Sequence, residues 1–374
     1  MRLFIRFYAL IGLAIISQSA CRGAQYDPVQ NISAKVYAKE NQILIEGRTL
    51  KTPRGHEMGF PGTKLNFVPH DMNMKLQLIA DKPDMSVDVS LEGSRFETVS
   101  LVQGMNEIDL GFLWDNNPHD HIIAGCDVEV VRRNESWQGL LTFVDATSSG
   151  DFRSRGETNL APLEPAKTKL LFIGDSITAG AGTESRMNEA GQREAVSNAR
   201  VAYPRVLGER LDAQVHHVAY GGRGVTRDWQ GITDTNNAPQ FYDRVLPDNP
   251  DHLWDPADYP ADIVSIMLGT NDFNPGIPGR TSWTAAYRKL VSRVRGDYTQ
   301  AQVFLISSPM TDGEKGEVLK AYVRAVAESF ETPQVQYIEV GKYHGEPWDS
   351  HPTAAEHQKI ADELEPFFRA ALDE

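Results

Sequence analysis

The chain is predicted to be an α/β protein: a parallel sheet flanked by helices, preceded by an antiparallel β-sandwich or jelly roll. Three observations predict this. From about Ile32 to Val144 the apolar residues alternate with polar ones, and no helical period competes. From Thr168 on, near-continuous apolar runs alternate with helical stretches, as in strands covered by helices on both faces. Between the two parts lies a segment rich in Ser, Gly, Thr and Pro.

Residues 1–20 read as a secretory signal, with Arg2 and Arg6 flanking the start of an apolar run from Phe7 to Ile16 and small residues up to Ala20. That run is too short to span a bilayer. Cys21 directly follows Ser19-Ala20, which also allows a lipoprotein signal; ordinary cleavage nearby is the alternative. A lipid on Cys21 is the one membrane attachment the sequence offers. Secretion, the periplasm and the outer membrane of a bacterium are the compartments this leader allows.

The β domain is assigned to residues 27–150. Its strand candidates are Ala34–Tyr37, Gln42–Glu46, Lys64–Val68, Lys75–Ile79, Ser86–Leu91, Glu97–Val102, Asn106–Leu110 and Asp127–Val131. Pro61-Gly62, Glu92-Gly93 and Gln103-Gly104 supply turns between them. The composition turns linker-like from Asp145 to Lys169, and the linker itself is placed at 151–167. Residues 168–374 then form the second domain. Its strands are expected at Lys169–Ile173, Gln214–Ala219, Asp262–Leu268, Gln302–Ser307 and Gln334–Val340. Its helices are expected at Ala202–Leu211, Ser282–Arg295, Glu314–Phe330 and Thr353–Leu372.

The chain carries 37 Lys and Arg against 51 Asp and Glu, a formal net charge of -14. Such an acidic balance argues against nucleic acid or anionic lipid as a partner, since both need clustered cations. Neutral polymers such as polysaccharides fit. The 2 cysteines make neither a disulfide framework nor a zinc site, and Cys126 sits among apolar neighbours as a small buried residue would.

The loops after the strands of the second domain carry the chemistry. Gly174-Asp175-Ser176 follows the first strand, Tyr220-Gly221-Gly222-Arg223-Gly224 the second and Gly269-Thr270-Asn271-Asp272 the third. Asp349-Ser350-His351-Pro352 follows the fifth. In an open α/β sheet these loops share the carboxyl edge, where ligands bind. The types present suit acyl transfer. Ser176 is the nucleophile and His351 the base that takes its proton. Asp349, two residues away in extended chain, fixes the histidine tautomer. The backbone N–H groups of Ser176 and Gly222 and the amide of Asn271 face the developing oxyanion; loss of one such donor typically costs about 3 kcal/mol. Pro352 disfavours helix at His351, and Thr353 with Glu356 forms a capping box that starts the last helix.

Asp175 and Asp272 read as loop-holding groups. Trp348 and Phe273, which flank active-loop residues, are expected to line the substrate pocket, and Arg223 either holds a loop or touches substrate. His344 is a further candidate for substrate contact, while His216 and His217 read as packing residues. No cofactor is called for. His119-Asp120-His121 lacks third and fourth ligands nearby, so no metal site is assigned.

Taken in order, Gly-Asp-Ser, the glycine turn, Gly-Thr-Asn-Asp and the late His-Pro resemble the four blocks of the SGNH (GDSL-like) hydrolase superfamily. That resemblance implies an SGNH-type, flavodoxin-like sheet and carries Ser176, Gly222, Asn271 and His351 over by motif position. With a β-rich domain in front, the arrangement also resembles carbohydrate esterase family 2, the acetyl-xylan esterase type, in which a jelly roll precedes the SGNH domain. It implies hydrolysis of acetyl esters on xylan, mannan or related saccharides, including 6-O-acetyl groups. Most SGNH enzymes place the acid three residues before the histidine, where this chain has Trp348. Asp349 matches the family 2 spacing, and a backbone carbonyl is the alternative orienting group. A lipolytic or thioester hydrolase and an inactive carbohydrate-binding protein are the competing readings.

Overall fold

The computed structural model describes residues 31–32, 43–67, 74–91, 95–115, 127–148, 152–153, 165–188 and 190–373. The leader with Cys21, the strand expected at Ala34–Tyr37, the His119–His121 pair and Cys126 lie outside them.

Two five-stranded antiparallel sheets build the amino-terminal part. One runs, in spatial order, Ile43–Glu46, Lys64–Phe67, Val128–Arg132, Met85–Leu91 and Glu97–Leu101. The other runs Thr49–Thr52, Gly55–Met58, Leu141–Ser148, Met74–Ala80 and Gly104–Asp109. Every second residue of Met74–Ala80 is buried, and these side chains share one core with Leu65, Phe67, Val87, Val89, Val128 and Val130 of the facing sheet. Period two therefore does what it predicts: one face of each sheet is dry.

A hairpin and a strand of the β domain are among the elements that escaped the sequence reading. The hairpin Thr49–Thr52/Gly55–Met58 is too short for alternation to show. The strand Leu141–Ser148 runs through Asp145, where linker composition begins. A bulge between Phe143 and Asp145 resets the register, so Ala146 still points into the core. Inside the stretch read as linker, Phe152–Arg153 pairs with Asn31–Ile32.

The carboxyl-terminal part is a five-stranded parallel sheet of Thr168–Gly174, Ala213–Ala219, Ile263–Met267, Gln302–Ile306 and Val335–Ile338. The spatial order is second, first, third, fourth, fifth, the flavodoxin-like order. Leu171 and Ile173 face Trp283, Tyr287, Leu319 and Val323 of helices Arg280–Asp297 and Gly313–Glu328. Leu170 and Phe172 face Tyr203, Leu207, Ile360 and Phe368 of helices Tyr203–Arg210 and Ala354–Leu372. Both faces of the first strand are thus dry, which is why it reads as an unbroken apolar run.

Buried polar contacts join the two parts. Arg205 donates to Glu46 at 2.5 Å and to the Gly62 carbonyl at 2.8 Å. Glu46 also accepts from the Val215 N–H at 2.8 Å and pairs with Lys64 at 3.1 Å. Burial works against its charge, but Arg205 and Lys64 override it and keep Glu46 below the usual carboxylate range. Arg48 reaches across to the carbonyls of Tyr242 and Arg244 and lies 4.8 Å from the Trp254 ring centre.

Candidate active site

Order of strands decides where the chemistry gathers. The first and third strands are neighbours in the middle of the sheet, and their carboxyl ends carry Ser176 and Asn271. Strand Thr168–Gly174 passes directly into a single helical turn, Ser176–Ala179, with Asp175 as its cap accepting from the Ile177 N–H at 3.1 Å. Ser176 is thereby turned outward at the sheet edge, 9% exposed.

The histidine comes from the far end of the chain. Thr353 and Glu356 form the expected capping box, with the Thr353 N–H donating to Glu356 at 2.8 Å. The Ala354 N–H then donates to the Thr183 carbonyl at 3.0 Å, docking the helix start on the turn that follows Ser176. Gly182 in that turn has φ +66°, and a Cβ there would stand 2.2 Å from Asp349 Oδ2 and 2.6 Å from His351 Cβ. Close approach of these two segments completes a relay. His351 Nε2 lies 2.9 Å from Ser176 Oγ, and His351 Nδ1 lies 2.8 Å from Asp349 Oδ1.

The charges suit this geometry. Burial alone would push the His351 imidazolium down, but the Asp349 hydrogen bond, aided by Glu135 and Asp175, raises its pKa above the ordinary histidine value. For Asp349, burial is outweighed by the bond to His351, and its carboxyl is held below the usual range. The carboxylate meets the ring directly, so it takes the orienting place that a backbone carbonyl would otherwise fill.

Asn271 begins the third of the converging loops. Its side-chain NH₂ donates to the Arg223 carbonyl at 2.9 Å and, more weakly, to Asp175 Oδ2 at 3.3 Å. Burial raises the Asp175 carboxyl to about 6. Asp272 accepts from the N–H groups of Val225 and Thr226, both at 2.8 Å. It therefore ties the third loop to the glycine turn, and both aspartates hold loops as expected. Ser176, Gly222, Asn271 and His351 line one cleft of about 620 Å³.

The aromatic expectations need correction. Phe273 is 0% exposed and packs edge-on against Trp283, 5.5 Å between ring centres, and against Tyr322. The helical turn Thr270–Phe273 sends Asn271 toward the cleft and Phe273 into the core, so sequence adjacency misled. Trp348 is 39% exposed, yet it is not among the cleft-lining residues. His344 likewise stays off the cleft, 3.8 Å from Asp312. Arg223 both lines the cleft and lies 3.4 Å from Asp228. His216 stacks on Tyr259 at 3.5 Å, a packing role as read.

Lining residues that sequence reasoning missed include Glu135 and Trp137 from the β domain, and Trp229 from the glycine loop. The only signal for Glu135 was a polar run, Arg132-Arg133-Asn134-Glu135, that follows an apolar strand yet is buried throughout.

The chain is similar to known proteins. Residues 172–359 match the GDSL-like Lipase/Acylhydrolase family. An acetylxylan esterase / glucomannan deacetylase of Cellvibrio japonicus is 28% identical over 357 residues, 95% of each chain. The cellulase/esterase CelE of Acetivibrio thermocellus is 31% identical over 347 residues, which is 86% of this chain and 38% of that one. Among solved structures, a family two carbohydrate esterase from Cellvibrio japonicus superposes with a TM-score of 0.80 at 27% identity, covering 92% of this chain and 99% of the other. With the relay built on the matched segment and the β domain in front of it, the chain belongs to the GDSL-like lipase/acylhydrolase family and has the two-part fold of a family two carbohydrate esterase.

Proposed function

We propose that the protein is a carbohydrate O-acetyl esterase, acting on acetylated polysaccharides or oligosaccharides of the xylan or mannan type. The observation that carries this is the Ser176–His351–Asp349 relay, with bonds of 2.9 and 2.8 Å, opening on a cleft of about 620 Å³. Two tryptophans of the cleft wall, Trp137 and Trp229, are 51% and 52% exposed and offer flat apolar faces to a pyranose. Arg223, Asp228, Gln230 and Asn274 line the same cleft and offer polar groups that suit hydroxyls. The esterases similar to this chain, described above, act in the same sense by name.

The chemistry follows from the residues. Ser176 Oγ attacks the acetyl carbonyl while His351 Nε2 takes its proton, and Asp349 steadies the imidazolium. Negative charge on the carbonyl oxygen is met by the N–H groups of Ser176 and Gly222 and by Asn271 Nδ2, whose weak 3.3 Å bond to Asp175 is the one the oxyanion shares. Collapse breaks the ester bond, and His351 returns the proton to the departing sugar oxygen. Water, activated by the same histidine, then releases acetate from Ser176.

Proton NMR of a panel of acetylated oligosaccharides should show loss of acetyl signals and report the position attacked. Ser176→Ala should lower that rate by on the order of 10⁴-fold or more. Faster turnover of p-nitrophenyl octanoate than of the acetate would overturn the reading in favour of a lipolytic enzyme. The leader fits export, either as a free protein or tied to a membrane by a lipid on Cys21, and mass spectrometry of the mature amino terminus distinguishes the two.

A further inference from the structure

One buried acid in the cleft has no part in the relay. Glu135 follows the sandwich strand Val128–Arg132, and its backbone is pinned to both halves of the molecule. Arg132 donates to the Glu135 carbonyl at 2.9 Å, the Glu135 N–H donates to Gln138 at 2.8 Å, and the next residue, Ser136, donates to the Ala219 carbonyl at 2.7 Å. The side chain is therefore delivered to a set place. It is 4% exposed, and it lines the cleft together with Ser176, Gly222 and His351.

Its two oxygens differ. Oε1 accepts from the Ser197 hydroxyl at 3.2 Å. Beside the Trp137 indole N–H, which helps to stabilise the carboxylate, lies the buried Oε2. It presses against the glycine turn, where a Cβ on Gly221 would come within 2.0 Å of it and within 3.3 Å of Trp137 Nε1. Any other residue at 221 would push the carboxyl away, so the turn is shaped to admit it. Burial raises this carboxyl to about 6, opposed chiefly by the nearby His351.

A carboxylate oxygen has more than one lone pair, so beside the indole Oε2 can accept a further hydrogen bond from a ligand. His351 is already oriented by Asp349, so this oxygen is not needed for the relay. The donor-rich ligand of this cleft is a sugar. A ring hydroxyl beside the esterified position would meet an acceptor next to the Trp137 indole, the pairing of polar edge and flat face that suits a pyranose. A hydrocarbon chain in the same place would offer that oxygen no hydrogen bond.

We propose that Glu135 is a specificity-determining residue: its Oε2 accepts a hydrogen bond from a free hydroxyl of the sugar whose ester is held at Ser176, so that the β domain supplies part of the sugar subsite. This rests on the carbohydrate esterase reading above. It also gives the β domain a part in choosing substrate.

The test is a cycle between protein and substrate. Monoacetylated methyl glycosides, and analogues each lacking one free hydroxyl, are assayed with wild type, Glu135→Gln and Glu135→Ala. In wild type, removal of one particular hydroxyl should lower kcat/KM by about tenfold or more. In Glu135→Ala the parent substrate should fall by a similar factor, and loss of that hydroxyl should then cost less than about twofold, the non-additivity of a direct contact. Glu135→Gln keeps shape without charge, should fall between the two, and carries the cycle if the alanine variant does not fold. An equal loss on the parent, on every deoxy analogue and on p-nitrophenyl acetate would overturn the proposal, because a merely structural role predicts that result. Unchanged kcat/KM on every glycoside would overturn it too. Wild type that cleaves p-nitrophenyl acetate but no acetylated glycoside would instead overturn the carbohydrate reading on which the proposal rests.

Discussion

In the proposed mechanism His351 must be neutral to take a proton from Ser176, and Asp349 makes it harder to neutralise. The raised histidine pKa therefore places the acid limb of kcat/KM above the ordinary histidine value. Replacing Asp349 by Asn removes the charge that stabilises the imidazolium. The limb should then move to lower pH, while the plateau rate falls by about 10³–10⁴-fold. A pH profile of Asp349→Asn on p-nitrophenyl acetate reads both at once, and an unmoved limb would show that some other group sets the histidine pKa. At this scale the sequence was most informative where identity is the function. Ser176, Asn271 and His351 could be proposed because few residue types perform those steps, and the structure brings all three to one cleft. Phe273 was misassigned because an aromatic ring serves core and ligand equally well, and only side-chain direction tells them apart.

Between residue and fold stands the segment that carries the histidine. It is held by the capping box at Thr353 and by the turn at Gly182, and neither touches the reacting atoms. Gly182→Ala sets a methyl group 2.2 Å from Asp349 Oδ2, so the relay must open. We expect kcat to fall at least about tenfold, as small misplacements of catalytic groups do, with circular dichroism unchanged. The helix Ala354–Leu372 also carries His357, fully buried, whose Nδ1 accepts from the Tyr203 N–H at 3.1 Å. Burial pushes its pKa down to about 3. In the unfolded chain His357 takes up a proton below about pH 6.5, and in the folded chain it does not until about pH 3. Folding stability linked to this residue is thus intact above pH 6.5 and is lost as pH falls from there toward 3. The difference in unfolding free energy between wild type and His357→Gln should shrink by about 1.4 kcal/mol per pH unit across that window. Urea titrations at several pH values measure it. The long helices were legible because their period extends over many residues, and the five parallel strands because each is an apolar run. The hairpin at Thr49–Met58 and the helical turns at Ser176 and Thr270 were not, since their four-residue pieces show neither an apolar run nor enough of a period.

The two halves of the molecule are joined by buried charge, and that couples their stabilities. Arg205 and Glu46 are both almost completely buried, one from each half. Arg205→Met leaves the Glu46 carboxylate with Lys64 and one backbone N–H, and should cost about 3–5 kcal/mol in urea unfolding. The double variant Glu46→Met/Arg205→Met should recover much of that loss, because the uncompensated charge goes with its partner. Equal instability of single and double variants would mean that packing, not charge, joins the halves. A fragment beginning at Thr168 would expose Arg205 and lose Glu135, and is expected to be insoluble. The β domain is thus a wall of the active cleft as well as a neighbour.

What the sequence determined by itself is the list of chemical groups and the order of secondary structure. Both depend on residue type and on short-range period, which a linear chain displays directly. Only the tertiary structure decided which groups meet. Glu135 reaches the cleft because Arg132 and Ser136 turn the chain toward the Ala219 carbonyl, and Phe273 leaves it because a helical turn rotates successive side chains to different faces. Convergence from residues far apart in the chain depends on packing, and packing is a property of distances in space that no local stretch of sequence carries.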